Sequence, residues 1–391
     1  MNVITSSSEF TPTEMRRDLK VELVSDITLL KDEWMSLQKQ KTCFIYQNYD
    51  WVRIAFETFD AKHRPVMIVG RAKGVLQFII PLVLVSGMPS KLRWPGGSHT
   101  NVGCGLYSRE FLSGPGTNTM RAVFEEIQNE LPGVVLLHLK NQPMEIAGFH
   151  NPMLELPHQT NPNPFYLMDL TPGLDAILDL GSGKRKRKLF RRQVRMAKQM
   201  GGHELVVPKK PGDIRAIMTE FFKLKAERFA ELGIQDVFSD KATQEFLLRL
   251  AEEPEKDGIQ LLRLFVLKVG GKMRAMYGSG ILQDYCQSCI NAVSYDEFSE
   301  ESPGEMVMYL MVDHLINKEF STLDLGIGQE RYKESWCKET NELKDTIFPL
   351  SYSAIPFSQL LRSETRLKQF VKSNSMMWEQ FKKLRKLKGR I

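Results

Sequence analysis

The sequence lacks the features that mark several large classes of protein. In its 391 residues no apolar run approaches the roughly 18 residues of a membrane-spanning helix, so an integral membrane protein is not expected. The first residues are polar and show no charged-then-apolar signal pattern, which argues against secretion. Five cysteines in a chain of this length make no disulfide framework, and an odd count is typical of a reducing cytosol. We therefore expect a cytoplasmic protein.

Motifs for metal binding and for sequence-specific binding of nucleic acid are also absent. Cys286 and Cys289 lie three residues apart on one predicted strand, so their side chains face opposite sides and cannot chelate a metal together. No second cysteine pair occurs, and we expect no metal site. The segment Gly181–Lys184 is too short for a phosphate-binding P-loop. No helix-turn-helix or zinc-finger pattern occurs, so sequence-specific recognition of nucleic acid is not expected.

Two strongly basic stretches are present. Nine Lys and Arg residues and no acid lie from Lys184 to Lys198, and residues 362–391 carry ten basic residues against two acids. Since the net charge is only +6, the rest of the chain is acidic. Both stretches can contact a polyanion, and the amphipathic tail can also touch the inner face of a membrane peripherally. The alternative is a solvated helix face and a tail that docks on its own domain.

Hydrophobic periodicity predicts two α/β halves with mixed central sheets flanked by helices. The strands at 66–71 and 75–85 are predicted to form a hairpin through Ala72–Gly74. After a strand at 166–170, the second half is predicted to run helix, strand, two helices, three antiparallel strands, helix, strand, helix, strand. The predicted divisions are a disordered N-terminus (1–18), an N-terminal domain (19–151), a linker (152–165), a C-terminal domain (166–361) and a basic amphipathic helix (362–391).

The most informative stretch begins where a predicted strand ends at Tyr295-Asp296. After an acidic loop, Ser302-Pro303-Gly304 opens an apolar helix. Free N–H groups at a helix start can bind a pyrophosphate, and glycine lets the phosphate approach the backbone. The same tripeptide is also a common capping turn, so its meaning depends on context. That context is Asp324-Leu325-Gly326 on the next strand, followed by the segment Gly328–Trp336.

Together these motifs resemble those of the double-domain Gcn5-related N-acetyltransferases (GNAT) related to the CelD cellulose-biosynthesis protein, distant relatives of the Fem-type peptidyltransferases. That family is similar in its Ser-Pro-Gly helix start, its Asp-Phe-Gly-like strand and its Gly-x-Glu-x-Tyr-Lys-x-x-Trp segment. Here Leu325 stands where an aromatic residue is usual. The resemblance spans residues 20–355 and is specific in the last third only. It implies two tandem GNAT-like domains, the first of them degenerate.

The resemblance also implies an acyl-CoA-dependent N-acyltransferase, with acetyl-CoA as the default donor, in which an acceptor amine attacks the thioester directly. Tyr332 is the candidate donor of a proton to the departing thiolate, and Asp324 and Asp296 are the candidate bases. The implied substrate-binding residues are Arg228, Lys333 and Glu330. The implied contacts of the acyl-CoA are Ala292, Val293, Ser294, Tyr295, Ser302, Pro303, Gly304 and Glu305.

The acceptor that the resemblance implies is an amino sugar or another amine-bearing precursor of a cell-envelope glycan or exopolysaccharide. Two other functions stay open at this point. One is Fem-like transfer of an amino acid from charged tRNA, with the basic helix on RNA, although no heptad run predicts the long coiled-coil arm usual in Fem-type proteins. The other is an inactive GNAT-fold scaffold of a polysaccharide synthase, which would not bind acyl-CoA.

Overall fold

The computed structural model describes residues 18–59, 63–114, 119–131, 133–337, 339–374, 376–377 and 380. These residues divide into two compact units. The first unit holds the described residues up to Thr160 together with Lys344–Ser363, and the second holds Asn161–Leu343 together with the described residues from Glu364 onward. Apart from Asp18, the segment predicted to be disordered lies outside the described residues. No helix in the described part of the chain is long and apolar enough to cross a membrane.

Up to Thr160, the described residues form nine strands and four α-helices. The strands are β1 (Leu19–Val24), β2 (His63–Ala72), β3 (Val75–Val85), β4 (Lys91–Arg93), β5 (Leu106–Tyr107), β6 (Leu136–Pro143), β7 (Glu145–Ile146), β8 (Phe149–His150) and β9 (His158–Thr160). The helices are α1 (Lys31–Gln38), α2 (Tyr49–Thr58), α3 (Arg109–Ser113) and α4 (Thr119–Ile127). Helix α2 begins where the side chain of Asn48 accepts hydrogen bonds from the first free backbone N–H groups.

The described residues after Thr160 form seven strands and seven α-helices. The strands are β10 (Phe165–Asp169), β11 (His203–Val206), β12 (Ile259–Val269), β13 (Lys272–Leu282), β14 (Tyr285–Val293), β15 (Thr322–Ile327) and β16 (Leu343–Pro349). The helices are α5 (Leu174–Asp179), α6 (Gly183–Gln199), α7 (Pro211–Leu232), α8 (Lys241–Glu252), α9 (Pro303–Ile316), α10 (Arg331–Trp336) and α11 (Ile355–Ser373). Short 3-10 helices lie at Ile27–Leu30, Ile45–Gln47, Gly97–His99, Gln128–Glu130, Pro152–Glu155, Ser299–Glu301 and Tyr352–Ala354.

The first unit is built on an eight-stranded sheet of order β1-β2-β3-β4-β6-β16-β9, with β5 paired to β3. Strands β2 and β3 form the predicted hairpin, and φ is positive at both Lys73 and Gly74 of its turn. Helices cover both faces of the sheet. Ile68 packs in the cluster that contains α4, whereas its neighbour Met67 packs in the cluster that contains α1 and α2. Burial on both faces explains why β3 is a continuous apolar run.

The second unit is built on a six-stranded sheet of order β10-β15-β14-β13-β12-β11. Its pairs are antiparallel except β14 with β15, which are parallel. Helices α7 and α8 pack against β14 and β12. Helix α9 packs on the face that carries Phe265 and Tyr277, in one core cluster with them. Helix α6 lies on this same side, because its Phe190 stacks on Tyr309 of α9 with 3.9 Å between the ring centroids.

The mixed α/β architecture of two sheets flanked by helices is confirmed. The order of elements along the second half is confirmed too, except that two helices, α5 and α6, lie before β11 where one was predicted. Three local assignments differ from the structure. Residues 152–165, predicted as a linker, contain β9; the last strand, β16, joins the first sheet; and the C-terminal helix begins at Ile355 instead of residue 362. The reason for the second difference is general: an apolar alternating pattern predicts that a strand is buried and not which sheet it joins.

Candidate active site

The parallel strands β14 and β15 separate along their length. Pairing joins them at three positions and ends at Gln287↔Asp324. Beyond that pair β14 continues to Val293 and β15 to Ile327, and no further pairing joins these two fully described strands. A wedge-shaped gap therefore opens in the sheet toward the carboxyl ends of both strands, where α9 follows β14. In open α/β sheets, ligands bind at such carboxyl ends.

One extra residue in β14 decides which side chains face α9. The register against β13 shifts at Gly278–Ser279, which leaves Cys289 as a bulge. Beyond the bulge Asn291 lies directly opposite Tyr277, whose ring is in the core cluster beneath α9. The bulge thus places an amide side chain beside the gap, on the α9 face of the sheet.

Tyr332 of α10 reaches the same place. The amide nitrogen of Asn291 donates to the Tyr332 hydroxyl at 3.4 Å, and the rings of Tyr277 and Tyr332 lie edge to face with centroids 6.5 Å apart. Burial raises the pKa of Tyr332 well above its ordinary value, and the neighbouring Tyr277 and Glu330 raise it further. Burial also raises the pKa of Tyr277. Both phenols therefore keep their protons at neutral pH and can donate a hydrogen bond to developing negative charge.

Asp324 lies at the apex of the gap and faces the other side of the sheet. It stands between Leu323 and Leu325, which both pack in the core beneath α9, so strand alternation turns its carboxylate to the α7 side. The carboxylate is fully buried and accepts hydrogen bonds from the Gly326 N–H at 2.7 Å and from the Gln287 amide at 3.4 Å. Burial raises its pKa to about 6, opposed by these hydrogen bonds and by Lys333.

The side chain of Lys333 extends from α10 to the end of β15. Its ammonium is buried and donates to the backbone oxygen of Ile327 at 2.6 Å. Burial lowers its pKa, while the negative charges of Glu330 and Asp324 oppose the change. The side chain therefore ties α10 to the end of β15. Glu330, by contrast, is exposed at the start of α10.

Asp296 forms its contacts in the loop that leads to α9 and not beside the gap. Its carboxylate is paired with Arg274 at 2.5 Å and accepts from the Phe298 N–H at 3.0 Å. Arg274 is 1% exposed, so this ion pair anchors the acidic loop that leads to α9. The structure therefore places the three candidate catalytic residues apart: Tyr332 on the α9 face of the gap, Asp324 on the opposite face, and Asp296 in the loop.

The start of α9 carries the predicted pyrophosphate contacts. Ser302 has a φ of 57°, and its carbonyl accepts from the side chain of Gln193 on α6 at 3.0 Å. Pro303 has no N–H, so Gly304 provides the first amide of the helix. A Cβ at Gly304 would lie 3.3 Å from Val293 of β14, which puts this amide next to the end of that strand. The gap and the helix start are therefore adjacent.

Glu305 is turned inward instead of out toward a ligand. Its carboxylate accepts from the Trp336 indole at 3.0 Å and from the Lys186 ammonium at 3.4 Å. Lys186 also donates to Ser335 at 2.9 Å and lies 3.9 Å from the centre of the Trp336 ring. These contacts join α6, α9 and α10, so Glu305 serves the fold in this arrangement and is not available to line a phosphate.

The remaining predicted contacts divide between the core and the surface. Ala292 is buried, and the Ser294 hydroxyl donates to the Arg274 carbonyl at 3.1 Å. Tyr295 is 57% exposed, and the Arg228 guanidinium lies 4.8 Å from the centre of its ring. Arg228 also pairs with Glu231 at 2.6 Å. Arg228 and Tyr295 thus place a half-buried cation against an exposed ring beside the loop after β14.

Three polar residues of the site are not singled out by the sequence: Tyr277, Asn291 and Lys186. For Lys186 a signal exists in retrospect. It lies seven residues before Gln193, so both polar side chains fall on the face of α6 that is otherwise apolar. For Asn291 the face depends on the bulge, which leaves no mark in the sequence pattern. Among the described residues no group of three or more His, Cys, Asp or Glu is arranged to hold a metal ion.

Comparison with known protein families gives a match within the second unit. Residues 184–334 match the family model described as the acetyltransferase (GNAT) domain. A comparison with curated protein sequences gives no match.

Three solved structures share the fold across most of the chain. FemX is 12% identical, with 87% of this chain and 99% of that chain covered and a TM-score of 0.53. A conserved protein of unknown function from Bacteroides thetaiotaomicron is 12% identical, with coverages of 85% and 100% and a TM-score of 0.54. The C-terminal domain of an Agrobacterium fabrum protein assigned as a lysylphosphatidylglycerol synthetase is 11% identical, with coverages of 88% and 97% and a TM-score of 0.51. At these identities the similarity shows a common fold.

Proposed function

We propose that this chain, a tandem GNAT-fold protein with its acetyltransferase-type domain at residues 184–334, transfers an acyl group from acyl-CoA to an acceptor amine. The observation that supports the proposal best is the gap between β14 and β15. It opens beside the first amide of α9, at Gly304, and is lined on one face by the protonated phenol of Tyr332. A thioester donor needs both features, an anion site for its phosphates and a narrow channel for its arm.

The residues around the gap fit the requirements of direct transfer. The acyl donor supplies the activated thioester, and its pyrophosphate would lie at the start of α9, on the amide of Gly304. Tyr332 would donate its proton toward the departing sulfur. Asp324, whose pKa of about 6 leaves it largely ionised at neutral pH, would accept the proton of the acceptor amine. Because these two side chains lie on opposite faces of the sheet, a thioester in the gap would have a proton donor on one side and a proton acceptor on the other.

For the acceptor we propose an amine on an amino sugar or on a cell-envelope glycan precursor. The resemblance to CelD-related proteins supports this class, and so does the exposed Tyr295 ring with Arg228 beside it, since aromatic faces bind sugar rings and guanidinium groups bind their anionic substituents. The proposal places the reaction in the cytoplasm, where acyl-CoA is available.

A second function is favoured by two specific observations. FemX and the protein assigned as a lysylphosphatidylglycerol synthetase share the fold, and α6 is strongly basic. Both observations are compatible with aminoacyl transfer from charged tRNA. The third possibility is a scaffold that keeps the fold and binds no donor.

Calorimetric titration with CoA and acetyl-CoA separates these functions. Micromolar binding of acetyl-CoA, followed by acceptor-dependent thiol release in a screen of amino sugars, is the expected result. A folded protein that binds neither CoA, acetyl-CoA nor a longer acyl-CoA would contradict the proposal. Titration of the same protein with aminoacylated and uncharged tRNA then distinguishes aminoacyl transfer from the scaffold.

A further inference from the structure

Exposed apolar side chains are concentrated near the C-terminal end of the described chain. Fourteen large hydrophobic side chains are exposed among the described residues, and seven of them lie between Tyr352 and Met376. Half of the exposed set therefore falls in one short segment of a 391-residue chain. Single exposed hydrophobic residues are ordinary on a protein surface, whereas a concentration of this kind marks a surface that contacts a partner.

Three of these side chains form a stripe along α11. Leu360, Leu367 and Phe370 are 67%, 62% and 59% exposed. Leu367 lies about two turns after Leu360, and Phe370 lies about one turn further along, so all three fall on one face of the helix. We call these three side chains the apolar stripe.

The opposite face of α11 holds the helix in place. Leu361 packs against the core cluster that contains Ile347 of β16. The guanidinium of Arg362 donates to the backbone carbonyl of Ile347 at 2.7 and 3.2 Å, and the ammonium of Lys372 donates to the side chain of Asn163. An amphipathic helix on a protein surface normally turns its apolar stripe to the core. In α11 two cations bond inward and the apolar stripe remains exposed.

Positive charge flanks the apolar stripe on both sides. At about 100° per residue, Arg366 lies on one side of the stripe and Lys368 on the other. Arg366 is exposed, and no hydrogen bond or ion pair in the described part of the chain involves its side chain. Lys368 is 60% exposed and pairs with Glu364 at 2.6 Å. From residue 374 onward the sequence adds six basic residues against one acid, so the stripe belongs to a strongly basic part of the chain.

We propose that the apolar stripe of α11 docks on the surface of a membrane that contains anionic phospholipids. Helices that lie in the membrane interface combine an apolar face with flanking Lys and Arg. The apolar side chains enter the acyl boundary, while the cations stay at the negatively charged headgroups. A second copy of this chain fits less well, because pairing two stripes would bring two basic segments together. The contact is peripheral and is independent of the proposed use of acyl-CoA.

The test is sedimentation of the full chain with vesicles of equimolar phosphatidylcholine and phosphatidylglycerol, and with vesicles of phosphatidylcholine alone. We expect binding to the anionic vesicles that weakens as salt is raised from about 0.1 to about 0.5 M, and about tenfold weaker binding to the neutral vesicles. Leu360→Gln/Leu367→Gln should lower the affinity for anionic vesicles about tenfold or more, because it removes two leucines from the acyl boundary. Arg366→Gln should lower it about fivefold.

Leu29→Gln/Leu180→Gln is the matched control for the two leucines of the stripe. Leu29 and Leu180 are 74% and 56% exposed, which is close to the exposure of Leu360 and Leu367, but they lie on other elements. The control should bind anionic vesicles within about twofold of the wild type. All four leucines are exposed, so both double variants should keep the fold, and far-UV circular dichroism checks this.

Each other result overturns the proposal. If the stripe variant binds anionic vesicles as tightly as the wild type, the basic sequence makes the contact without the stripe. Equal binding of the wild type to neutral and anionic vesicles would contradict an anionic surface as the partner. If the wild type binds no vesicles and forms a dimer that the stripe variant loses, the stripe is an interface between two copies. If it binds no vesicles and is monomeric in analytical ultracentrifugation, the stripe has no membrane partner.

Discussion

Two groups at the site have pKa values moved by burial in ways that suit opposite roles. Burial raises the pKa of Asp324 to about 6, which still leaves most of it ionised at neutral pH. Burial raises the pKa of Tyr332 well above its ordinary value, so the phenol stays protonated. An ionised base and a protonated acid at the same pH are the pair that acyl transfer to an amine needs.

The first prediction concerns the acid limb of the pH profile. Since Asp324 accepts a proton only when ionised, wild-type acyl transfer should fall as pH is lowered through about 6. Asp324→Asn should lose about a hundredfold or more in rate and show no inflection near that pH. Thiol release measured between pH 5 and 8 tests this. A retained inflection in the variant would assign the base to another group.

The second prediction uses the same substitution to test the pKa itself. Because the folded pKa of Asp324 lies above the ordinary value of 3.8, its stabilising contribution is present below about pH 4 and is lost as pH rises through about 6. Asn does not titrate, so the variant has no corresponding loss of stability. The free energy of unfolding of Asp324→Asn, relative to that of the wild type, should therefore increase from pH 4 to pH 8 by at most about 3 kcal/mol. Thermal unfolding at the two pH values measures it. An equal difference at both would mean that the pKa is not raised.

The third prediction separates chemistry from packing at Tyr332. Tyr332→Phe removes the proton donor and keeps the ring, so the rate of transfer should fall about tenfold to a hundredfold while CoA affinity stays within about twofold. Tyr309→Phe is the control, since Tyr309 is also a half-buried tyrosine of this core and stacks on Phe190 by its ring alone. Steady-state kinetics that show equal losses in both variants would remove Tyr332 from the mechanism.

At the scale of single residues, the sequence predicts which residues belong to the site better than it predicts which of them lie together. It singles out Asp324 and Tyr332, but nothing in it shows that they lie on opposite faces. That depends on Leu323 and Leu325 both packing beneath α9, which turns Asp324 away, and on the bulge at Cys289, which turns Asn291 toward Tyr332. Both are outcomes of tertiary packing. Asp296 is also acidic and close in sequence, yet Arg274 holds it in the loop.

At the scale of elements, the start of α9 is where strand, loop and helix meet. Gly304 packs against Val293 at the end of β14, and Gln193 of α6 fixes the two carbonyls before the helix. The amide at Gly304 is therefore held in place by neighbours on two sides. An anion site built in this way is sensitive to any side chain that adds bulk or negative charge there.

The fourth prediction is made for this helix start. Gly304→Glu should abolish CoA binding, because it places a carboxylate on the phosphate site and a Cβ against Val293. The chain offers a matched control in Gly212→Glu, since Pro211-Gly212 also opens a helix and a Cβ at Gly212 meets no atom within 4 Å. Calorimetry on both folded variants tests the prediction. Unchanged CoA affinity in Gly304→Glu would show that the pyrophosphate does not bind at this helix start.

Most elements are predictable from the sequence because their signals are local. Strand β3 begins and ends at the predicted residues 75 and 85, since the Ala72–Gly74 turn before it marks where it starts. Strand β9 is missed because it has three residues and lies among prolines. The partners of β16 are missed because pairing between distant strands has no local signal.

At the scale of the whole molecule, β16 makes the first unit discontinuous in sequence. It stands between β6 and β9 in the first sheet, and its Ile347 is buried in one cluster with Leu136 of β6. Gln142 of β6 also donates to Thr346 of β16 at 2.8 Å. The first sheet is therefore completed by a strand that follows the entire second sheet in the chain.

The fifth prediction tests that arrangement. Ile347→Asp places a charge in the hydrophobic core of the first unit. Amide hydrogen exchange in β6 and β9 should therefore become about tenfold faster or more. Amides of β12 and β13, in the sheet of the other unit, should keep their protection and serve as the internal control. Exchange measured by mass spectrometry resolves the two sheets. Faster exchange in β12 and β13 with none in β6 would contradict the assignment of β16 to the first unit.

The position of β16 also sets an order for synthesis. A ribosome that has released β6 and β9 must still make residues 161–343 before the strand between them exists. At 5–20 residues per second this takes roughly 10–40 s, during which the edges of β6 and β9 that β16 later joins have no partner strand. The second unit, whose sheet strands are all continuous in sequence, can fold within that interval. The sheet that is begun first is thus the sheet that is completed last, and those edges stay unpaired until Leu343–Pro349 emerges.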